Sequence, residues 1–305
     1  TSRQRRTRRD ARTGGILTAT LSAVAMDISV IIVSWNAKDY LLNCLRSLDT
    51  ALGGMETEVI VVDNDSQDGS PQAVRDTFPS VSLIQTGENI GFARANNIGI
   101  ENSSGDFLAF VNSDVEVHGD TLHSMVEFLK SEPDVGLCGP RVIGGDGVLQ
   151  RSCRKAPSYS RQLGRTLGLD NIMPSITHFP HDRVRDVDVL SGCFWLARQT
   201  AVAEVGPLDE QFFIYAEDVD WCKRFRDRGW RVTYYPEAAI VHHGGASSAN
   251  APLRFYIEML RANRKYWRKH YGRPGEAFFM AIQLGHHILR AVLALGLYPF
   301  RRSGS

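Results

Sequence analysis

Acidic side chains follow two apolar runs in the first half of the chain. Asp63 ends the run EVIVV, and Asp114 follows the run LAFV after Asn112 and Ser113. A carboxylate at the end of a buried strand is costly unless a neighbouring group compensates its charge. Asp114 is therefore a candidate ligand for a hard divalent cation, which takes one or two carboxylates beside a diphosphate. Asp63 could instead accept a hydrogen bond from the N3–H group of a uracil or thymine ring.

A second group of acids begins a predicted helix over 216–230. Glu217 and Asp218 follow the aromatic run FFIY, which places them at the wall of an apolar pocket. A carboxylate in such a wall has the environment that a general base needs. The alternative is that acids in the first turn only stabilise the helix dipole. Asp220 and Arg224 are four residues apart and are predicted to form a surface ion pair.

One histidine also falls at a predicted strand end. His242, in the sequence VHHGG, could ligate a metal ion or contact diphosphate oxygens. The alternative is a structural histidine, because each ring nitrogen can donate or accept a hydrogen bond within the protein.

The elements that must position these residues alternate between strands and helices. Strands that are each followed by an amphipathic helix predict a parallel, doubly wound sheet. Ligands bind such sheets at the carboxyl ends of the strands, where 34–36, 63–65 and 112–114 fall. Asp and Asn are common turn formers, but three such strand ends together favour one shared ligand. The predicted strands are 28–34, 58–64, 81–86 and 106–114, and the predicted helices are 37–50, 68–78, 91–103 and 119–131.

The pattern is looser after residue 140. The elements predicted there are a hairpin turn at 144–148, an irregular connection over 151–186, strands at 187–198, 231–236 and 238–245, and a basic amphipathic helix at 253–271.

The composition is that of an ordinary globular protein. Of its 305 residues, 43% are hydrophobic and 23% are charged, and the net charge of +1 gives no strong field for nucleic acid. The five cysteines are scattered and form no CxxC pair, which argues against a disulfide framework or a cysteine-rich zinc site. The cytoplasm is therefore the expected compartment.

Both ends of the chain depart from this pattern. Residues 1–26 form an Arg-rich arm, which we interpret as an over-long start or a non-native addition, with a targeting peptide as the alternative. The apolar segment 277–302 is interrupted by polar residues, which disfavours a membrane-spanning helix. An amphipathic anchor on an anionic membrane surface is expected instead, and packing against the domain or a second subunit is the alternative.

The series of motifs resembles a family 2 glycosyltransferase of the inverting type with a GT-A fold, in particular the bacterial rhamnosyltransferases of cell-surface polysaccharide synthesis. The resemblance covers residues 28–248 and rests on VIIVSWN, VIVVDNDSQDGS, ENIGFARANNIGI, FLAFVNSDV and the segment from LSGCFW to VHHGG, in that order. It implies an α/β fold with a mixed, mainly parallel sheet flanked by helices. The implied division is a GT-A domain over 27–248 and a C-terminal helical extension over 249–305.

The resemblance also implies roles for individual residues. Asp114 would ligate Mg²⁺ or Mn²⁺ together with His242, and Asn112 only weakly, because the family's full DxD motif has Asp there. Asp218 would be the catalytic base, with Glu217 the less favoured candidate. The nucleotide would be bound by Val33, Ser34, Asn36, Asp63, Asn89, Gly91, Asn97 and Ser113, and the acceptor pocket would be formed by Gly192, Tyr215 and Trp221.

The implied reaction is a single displacement with inversion at the anomeric carbon. The donor would be dTDP-rhamnose or a UDP-hexose, and the acceptor a saccharide, free or linked to a polyprenyl diphosphate. A QxxRW motif of processive synthases is absent after Asp218, which favours the addition of one or a few sugars. The resemblance and the terminal segment together suggest a peripheral protein at the inner face of the plasma membrane. A homodimer is an alternative use of that segment.

Other classes of protein remain as alternatives. A nucleotidyltransferase acting on a sugar phosphate could use the same acids, but VSWNAKDY offers only Lys38 to hold a triphosphate. A dinucleotide-dependent oxidoreductase is disfavoured because no GxGxxG follows the first strand. A non-catalytic sugar-binding module would not need the acids of AEDVD beside a metal site.

Overall fold

The first half of the protein alternates strands and helices as the sequence predicts. The computed structural model describes residues 27–244 and 252–302, so the predicted arm over 1–26 lies outside the described residues. The first four strands are parallel, and β1 lies between β2 and β4. The elements are β1 (Ile28–Ser34), α1 (Lys38–Ala51), β2 (Thr57–Asp63), α2 (Ser70–Thr77), β3 (Ser82–Gln85), α3 (Phe92–Glu101) and β4 (Phe107–Asn112).

The second half extends the same sheet with strands of both directions. Its elements are β5 (Val115–Val117), α4 (Thr121–Ser131), β6 (Val135–Gly144), β10 (Phe194–Arg198) and β11 (Arg231–His242). β10 is antiparallel to both β4 and β6, whereas β11 is parallel to β6 and antiparallel to β5. The sheet order is β3-β2-β1-β4-β10-β6-β11-β5, which confirms the predicted mixed sheet flanked by helices.

Two predicted strand boundaries were wrong. The strand predicted over 187–198 is divided into β9 (Val189–Leu190) and β10, because the chain turns at 191–193 and β9 pairs with β7 (Cys153–Arg154) instead of the main sheet. The two strands predicted over 231–245 form the single strand β11. Its register against β6 shifts between Tyr235 and Ala239, around Pro236, which has no N–H group to donate to the ladder.

The connection predicted to be irregular over 151–186 contains several short elements. Its first helix begins after Ser158, whose Oγ accepts a hydrogen bond of 3.3 Å from the backbone N–H of Arg161. The elements of this segment are β7, α5 (Tyr159–Thr166), α6 (Leu169–Ile172), a 3₁₀ turn (Pro174–Ile176) and β8 (Arg185–Asp186). The helices α7 (Gln199–Val205) and α8 (Glu217–Asp227) come after β10.

The C-terminal helical segment α9 (Pro252–Arg302) packs against the sheet domain and breaks at Gly272, where φ is +67°. Its Tyr266, Trp267 and Phe279 are buried in the same core cluster as residues of β4 and β10. The first part of α9 is therefore integral to the fold. Within the described ranges, no helix combines the length and the apolar character needed to cross a membrane.

Candidate functional site

A cavity of about 250 Å³ opens at the carboxyl ends of β1, β2 and β4, where the parallel-sheet rule places a ligand. Residues from all five sequence motifs reach it, and three α9 residues, Arg254, Phe255 and Glu258, contribute to its wall. The predicted site residues that line it are Val33, Asn89, Gly91, Asn112, Ser113, Asp114, Tyr215 and His242.

Asp114 and His242 meet at one end of this cavity. The Oδ1 atom of Asp114 lies 3.4 Å from Nε2 of His242, at the end of β11. The other ring nitrogen, Nδ1, lies 2.8 Å from Oε1 of Gln150, and the amide Nε2 of Gln150 donates to the carbonyl oxygen of His242 at 2.8 Å. Because Gln150 Oε1 can only accept, the proton of a neutral ring resides on Nδ1. The Nε2 lone pair then faces the carboxylate.

Two acceptors that face each other at this distance are suited to a shared cation. A hydrogen bond to the distal ring nitrogen is the usual support of a metal-ligating histidine, and Gln150 provides it here. Among the described residues there is no cluster of three or more His, Cys, Asp or Glu that could enclose an ion. Asp114 and His242 would supply one oxygen and one nitrogen ligand, which fits a divalent cation that takes its remaining ligands from phosphate oxygens and water.

Asp63 and Ser34 lie side by side at the ends of paired strands and are buried. One carboxylate oxygen of Asp63, Oδ2, accepts from the backbone N–H of Ser66 at 3.1 Å. Its Oδ1 and the Ser34 Oγ are buried without a hydrogen-bond partner in the described part of the chain. Buried polar atoms are rarely left unpaired, so both are suited to a ligand. Neither residue lines the cavity directly, although their neighbours Val33 and Asn64 do.

Asn36 and Asn89 organise the loops at the strand ends. Asn36 has a φ of +49°, and its Oδ1 accepts from the backbone N–H of Gln67 at 2.7 Å, which joins the loops after β1 and β2. The Oδ1 atom of Asn89 accepts from Asn64 Nδ2 at 3.0 Å and from the Gly91 N–H at 3.1 Å. Asn36 thus positions the loops, whereas Asn89 also lines the cavity.

Gly91 is required by close contact with another segment. Its φ is +89°, and a Cβ atom there would lie 2.6 Å from the carbonyl oxygen of Phe213. The next residue, Phe92, donates its backbone N–H to that oxygen at 2.6 Å. The glycine therefore lets the 213–215 segment close against the beginning of α3.

Two of the predicted site residues are placed elsewhere. Asn97 is buried and exchanges hydrogen bonds of 2.9 Å with the backbone of Leu208, so its amide is used in packing and not in the predicted ribose–diphosphate region. Trp221 is fully buried in an aromatic core with Phe110 and Trp195, and its Nε1 donates to Gly206 O. Trp221 therefore cannot line the acceptor pocket, because it faces the sheet.

Asp218 lies in the first turn of α8, with its side chain 13% exposed. Its Oδ2 forms an ion pair with Arg154, and its Oδ1 accepts from the backbone N–H of Val219 at 2.8 Å. The two residues before the helix, Tyr215 and Ala216, both have positive φ, at 70° and 64°. Such strained backbone in residues other than glycine is concentrated at functional sites.

Glu217 differs from its neighbour in being buried. Its Oε2 has no hydrogen-bond partner among the described residues. Burial, and then the negative charge of Asp218, raise the pKa of Glu217 to about 8. At neutral pH this side chain is therefore mostly protonated and must lose that proton before it can accept one from a substrate.

Asp220 corrects a prediction from helix spacing. The expected pair with Arg224 is present at 2.9 Å, but Asp220 is fully buried and is not a surface residue. Its other oxygen contacts Lys269 Nζ at 2.6 Å and His270 Nε2 at 2.7 Å, both from α9. Burial alone would raise the pKa of Asp220, but the hydrogen bonds from His270 and Lys269 and the charge of Arg224 lower it to about 2.

Two adjacent residues connect Asp218 with the strand end that carries Asp114. A Cβ atom on Gly192 would lie 3.7 Å from the Cβ of Asp218. The next carbonyl, that of Cys193, accepts from the backbone N–H of Asn112 at 3.0 Å. Since consecutive Cα atoms are about 3.8 Å apart, the turn at 191–193 brings the candidate base close to the DxD-like segment.

Asp218 also lines a second cavity, of about 230 Å³, which shares Tyr215 with the first. Arg154 and other cations line it too. Arg154 and Gln150 were not found by sequence reasoning, because they lie in the segment without periodicity and meet their partners only through the fold. The aromatic and cationic residues of α9 at the first cavity were missed for the same reason.

Comparison with known proteins gives the family. The family model described as "Glycosyl transferase family 2" matches residues 29–206. The chain is 30% identical over 271 residues to an N-acetylglucosaminyl-diphospho-decaprenol L-rhamnosyltransferase of Mycobacterium tuberculosis, over 79% of this chain and 86% of that one. It is 25% identical over 221 residues to the low-salt glycan biosynthesis hexosyltransferase Agl10 of Haloferax volcanii, over 71% of this chain and 67% of that one.

Solved structures give the fold. The structure is similar to the mannosyltransferase PcManGT from Pyrobaculum calidifontis in complex with GDP-Man and Mn²⁺, with a TM-score of 0.58 and 18% identity over 93% of this chain and 77% of that one. It is also similar to S. aureus TarS 1–349 in complex with UDP, with a TM-score of 0.52 and 19% identity over 80% and 66% of the two chains. The predicted GT-A fold is thereby confirmed, and the chain belongs to glycosyl transferase family 2.

Proposed function

We propose that this protein transfers a sugar, L-rhamnose from dTDP-rhamnose, with inversion to a saccharide carried on a polyprenyl diphosphate. The observation that carries the proposal is the turn at Gly192 and Cys193, which brings Asp218 beside the strand end that bears Asp114. A base for an acceptor hydroxyl and a site for a donor diphosphate are thus adjacent. The mycobacterial relative, an N-acetylglucosaminyl-diphospho-decaprenol L-rhamnosyltransferase, supports the choice of rhamnose and of a lipid-linked acceptor.

The donor occupies the cavity at the strand ends. Asp63 Oδ1, beside the lining residue Asn64 but not itself in the cavity wall, accepts from N3–H of a pyrimidine that reaches past that wall, a donor that thymine and uracil share. Gly91 and Asn89 border the ribose and diphosphate. Asp114 and His242 would hold the divalent cation. A UDP-hexose is the second candidate donor.

In the transfer step Asp218 accepts the proton of the acceptor hydroxyl while that oxygen attacks the anomeric carbon. Attack from the face opposite the leaving group inverts the configuration, and no sugar becomes bound to the enzyme. A cation bound at Asp114 and His242 would supply charge neutralisation for the departing diphosphate. Arg154 orients the Asp218 carboxylate through their ion pair.

The lipid-linked acceptor implies contact with a membrane surface. Met280, Leu284, Ile288 and Val292 are spaced four residues apart on α9, and all are exposed. Amphipathic helices with such an apolar stripe lie in the membrane interface. Much of the basic charge over 261–269 is already paired with acids of this chain, so apolar burial contributes more to this contact than attraction to anionic lipids.

Thermal unfolding of the full chain with nucleotides tests the donor site. We expect dTDP and UDP to raise the apparent melting temperature with Mn²⁺ and much less with EDTA, because a ligand of the native state stabilises it. Asp114→Asn should lose the metal-dependent shift, whereas Asp120→Asn, at an exposed position before α4, should retain it. A shift only with GDP or NAD would refute the proposed donor.

Transfer itself is tested with dTDP-rhamnose, UDP-glucose and an N-acetylglucosaminyl diphosphate linked to a short polyprenyl chain. We expect release of dTDP and a product with inverted anomeric configuration. Release from UDP-glucose alone would replace rhamnose by a hexose. Formation of a sugar nucleotide from a triphosphate would favour the nucleotidyltransferase alternative.

A further inference from the structure

The second cavity is strongly cationic. Four basic side chains line it, Arg154, Lys155, Arg161 and Arg165, against two carboxylates, those of Asp170 and Asp218. In the described part of the chain, Arg154 forms an ion pair with Asp218, whereas Lys155, Arg161 and Arg165 form none. The cavity therefore has an excess of positive charge beside the candidate base.

Two of these cations are held in place by neutral groups. Lys155 Nζ donates to the carbonyl oxygen of Ser175 at 2.7 Å, and Arg161 Nη1 donates to that of Ala156 at 2.8 Å. A carbonyl oxygen orients a cation without cancelling its charge, and an arginine retains further N–H donors. Such an arrangement is pre-organised for an anion with several acceptor oxygens.

The positive charge of the cavity also shifts the pKa values of neighbouring groups. Burial, followed by the charges of Arg154 and Arg151, lowers the pKa of His178 to about 4, so this ring is neutral at physiological pH. Arg165 as a whole is exposed, but its guanidinium is surrounded by protein atoms. This burial, followed by the charge of Arg154, lowers the pKa of Arg165. An anion in the cavity would relieve this repulsion.

Apolar side chains border the cationic cavity on the surface. Helix α5 contributes Arg161 and Arg165 to the cavity and also carries Leu163, which is 46% exposed. Leu167 and Ile172, in the segment that follows, are 60% and 85% exposed. A small soluble anion would not contact these apolar residues, whereas the hydrocarbon chain of a lipid phosphate would pack against them.

We propose that this cavity binds the diphosphate of the lipid-linked acceptor, with its hydrocarbon chain along the exposed apolar residues of α5 and α6. The inference rests on the proposed function and deepens it by assigning residues to the acceptor. A sugar attached to a diphosphate at Arg154, Lys155 and Arg165 extends toward Asp218, which lines the same cavity. Tyr215, which lines both cavities, then borders the acceptor site and the donor site.

The test is calorimetric titration of the full chain with farnesyl diphosphate, a soluble polyprenyl diphosphate, and with farnesol. EDTA is present so that no metal ion recruits the probe to Asp114. We expect farnesyl diphosphate to bind at least tenfold more tightly than farnesol, and the double variant Lys155→Gln, Arg165→Gln to weaken it at least tenfold. The matched control Arg46→Gln, Lys130→Gln removes two cations from exposed helical positions and should bind as the unaltered protein does.

A charge-preserving variant separates charge from folding. Lys155→Arg, Arg165→Lys should retain binding within about threefold, and loss of binding in this variant as well would overturn the proposal. Equal affinity of the Gln double variant and the unaltered protein would also overturn it. So would phosphatidylglycerol vesicles that bind with the same dependence on Lys155 and Arg165, because the cavity would then recognise bilayer headgroups.

Nucleotide binding distinguishes this inference from the proposed function. The Gln double variant should keep its thermal shift with dTDP and Mn²⁺, because Asp114 and His242 are unaltered. A protein that binds farnesyl diphosphate through Lys155 and Arg165 but binds no nucleotide refutes the donor proposal alone. A protein with the nucleotide shift and no such diphosphate site refutes this inference alone.

Discussion

Asp218 and Arg154 lie 64 positions apart in the sequence and form an ion pair at the wall of the second cavity. Arg154 belongs to β7, which pairs with β9, and the turn after β9 lies near Asp218, since a Cβ on Gly192 would be 3.7 Å from the Asp218 Cβ. The orientation of the candidate base is therefore determined by a small two-stranded sheet outside the main one. Asp218 lies in the first turn of a helix, but because it pairs with Arg154 it does not serve only as a helix cap.

Removal of this carboxylate should strongly slow transfer while nucleotide binding remains. We expect Asp218→Asn to reduce kcat by about 10² to 10⁴-fold, the usual contribution of a general base. The thermal shift with dTDP and Mn²⁺ should be unchanged. Asp227→Asn, on the same helix and 55% exposed, is the matched control and should keep full activity. Substantial transfer by Asp218→Asn would exclude it as the base.

Gly91 allows a comparison between two glycines of positive φ. A Cβ at Gly91 would clash with Phe213, whereas at Gly87, where φ is +74°, nothing lies within 4 Å. We expect Gly87→Ala to lower the free energy of unfolding by about 1 kcal/mol, from backbone strain alone. Gly91→Ala should cost about 1–3 kcal/mol more and should weaken nucleotide binding, because the 213–215 segment must move. Urea unfolding and nucleotide titration measure both; equal effects at the two sites would show that the close contact is unimportant.

Much of the fold was predictable because its causes are local. β-Branched runs and amphipathic periodicity determine the elements from β1 to β4, and the carboxyl-end rule then selects Asp63 and Asp114. Asn97 and Trp221 were predicted to be site residues but lie in packing positions, because a motif gives the position of a residue but not the direction of its side chain. Arg154 and Gln150 could not be predicted, since their partners lie 64 and 92 positions away.

Asp220 shows the same limit of prediction from sequence. Its helical spacing predicts the pair with Arg224 but does not predict its partners on α9. Asp220→Asn leaves Lys269, His270 and Arg224 without their common carboxylate, so we expect a loss of about 3–5 kcal/mol in the free energy of unfolding. Asp227→Asn removes an exposed pair with Lys223 and should cost less than about 1 kcal/mol.

The pH dependence of this effect has a definite direction. The pKa of Asp220 is lowered in the folded protein, so its stabilisation is complete above the unfolded value of 3.8 and is lost as the pH falls toward about 2. Urea unfolding at pH 6 and at pH 3 should show a smaller difference between Asp220→Asn and the unaltered protein at the lower pH. An unchanged difference would exclude the buried ion network as its source.

Glu217 should give the opposite dependence. Its pKa is raised from 4.5 to about 8, so the folded state retains a proton that the unfolded state loses between these values. The free energy of unfolding of the unaltered protein should therefore fall over this range relative to Glu217→Gln, by about 1.4 kcal/mol for each unit of pKa difference as an upper bound. Glu127→Gln, at an exposed position on α4, is the control. Parallel stability curves would show that Glu217 is not protonated.

The apolar stripe of α9 should determine binding to membranes. Met280, Leu284 and Ile288 are 46%, 63% and 55% exposed, and their replacement by Ser removes apolar surface without touching the buried Phe279. We expect the triple variant to bind vesicles of phosphatidylcholine and phosphatidylglycerol at least tenfold more weakly in sedimentation, because each apolar side chain contributes about 1 kcal/mol or more when it leaves water. The control variant Val148→Ser, Leu149→Ser removes comparably exposed apolar residues from the hairpin after β6, and its binding to vesicles should be unchanged.

Deletion of 275–305 would be a poorer test of membrane binding, because it also removes Phe279 from the core and Glu276 from its ion pairs with Arg264 and Arg268.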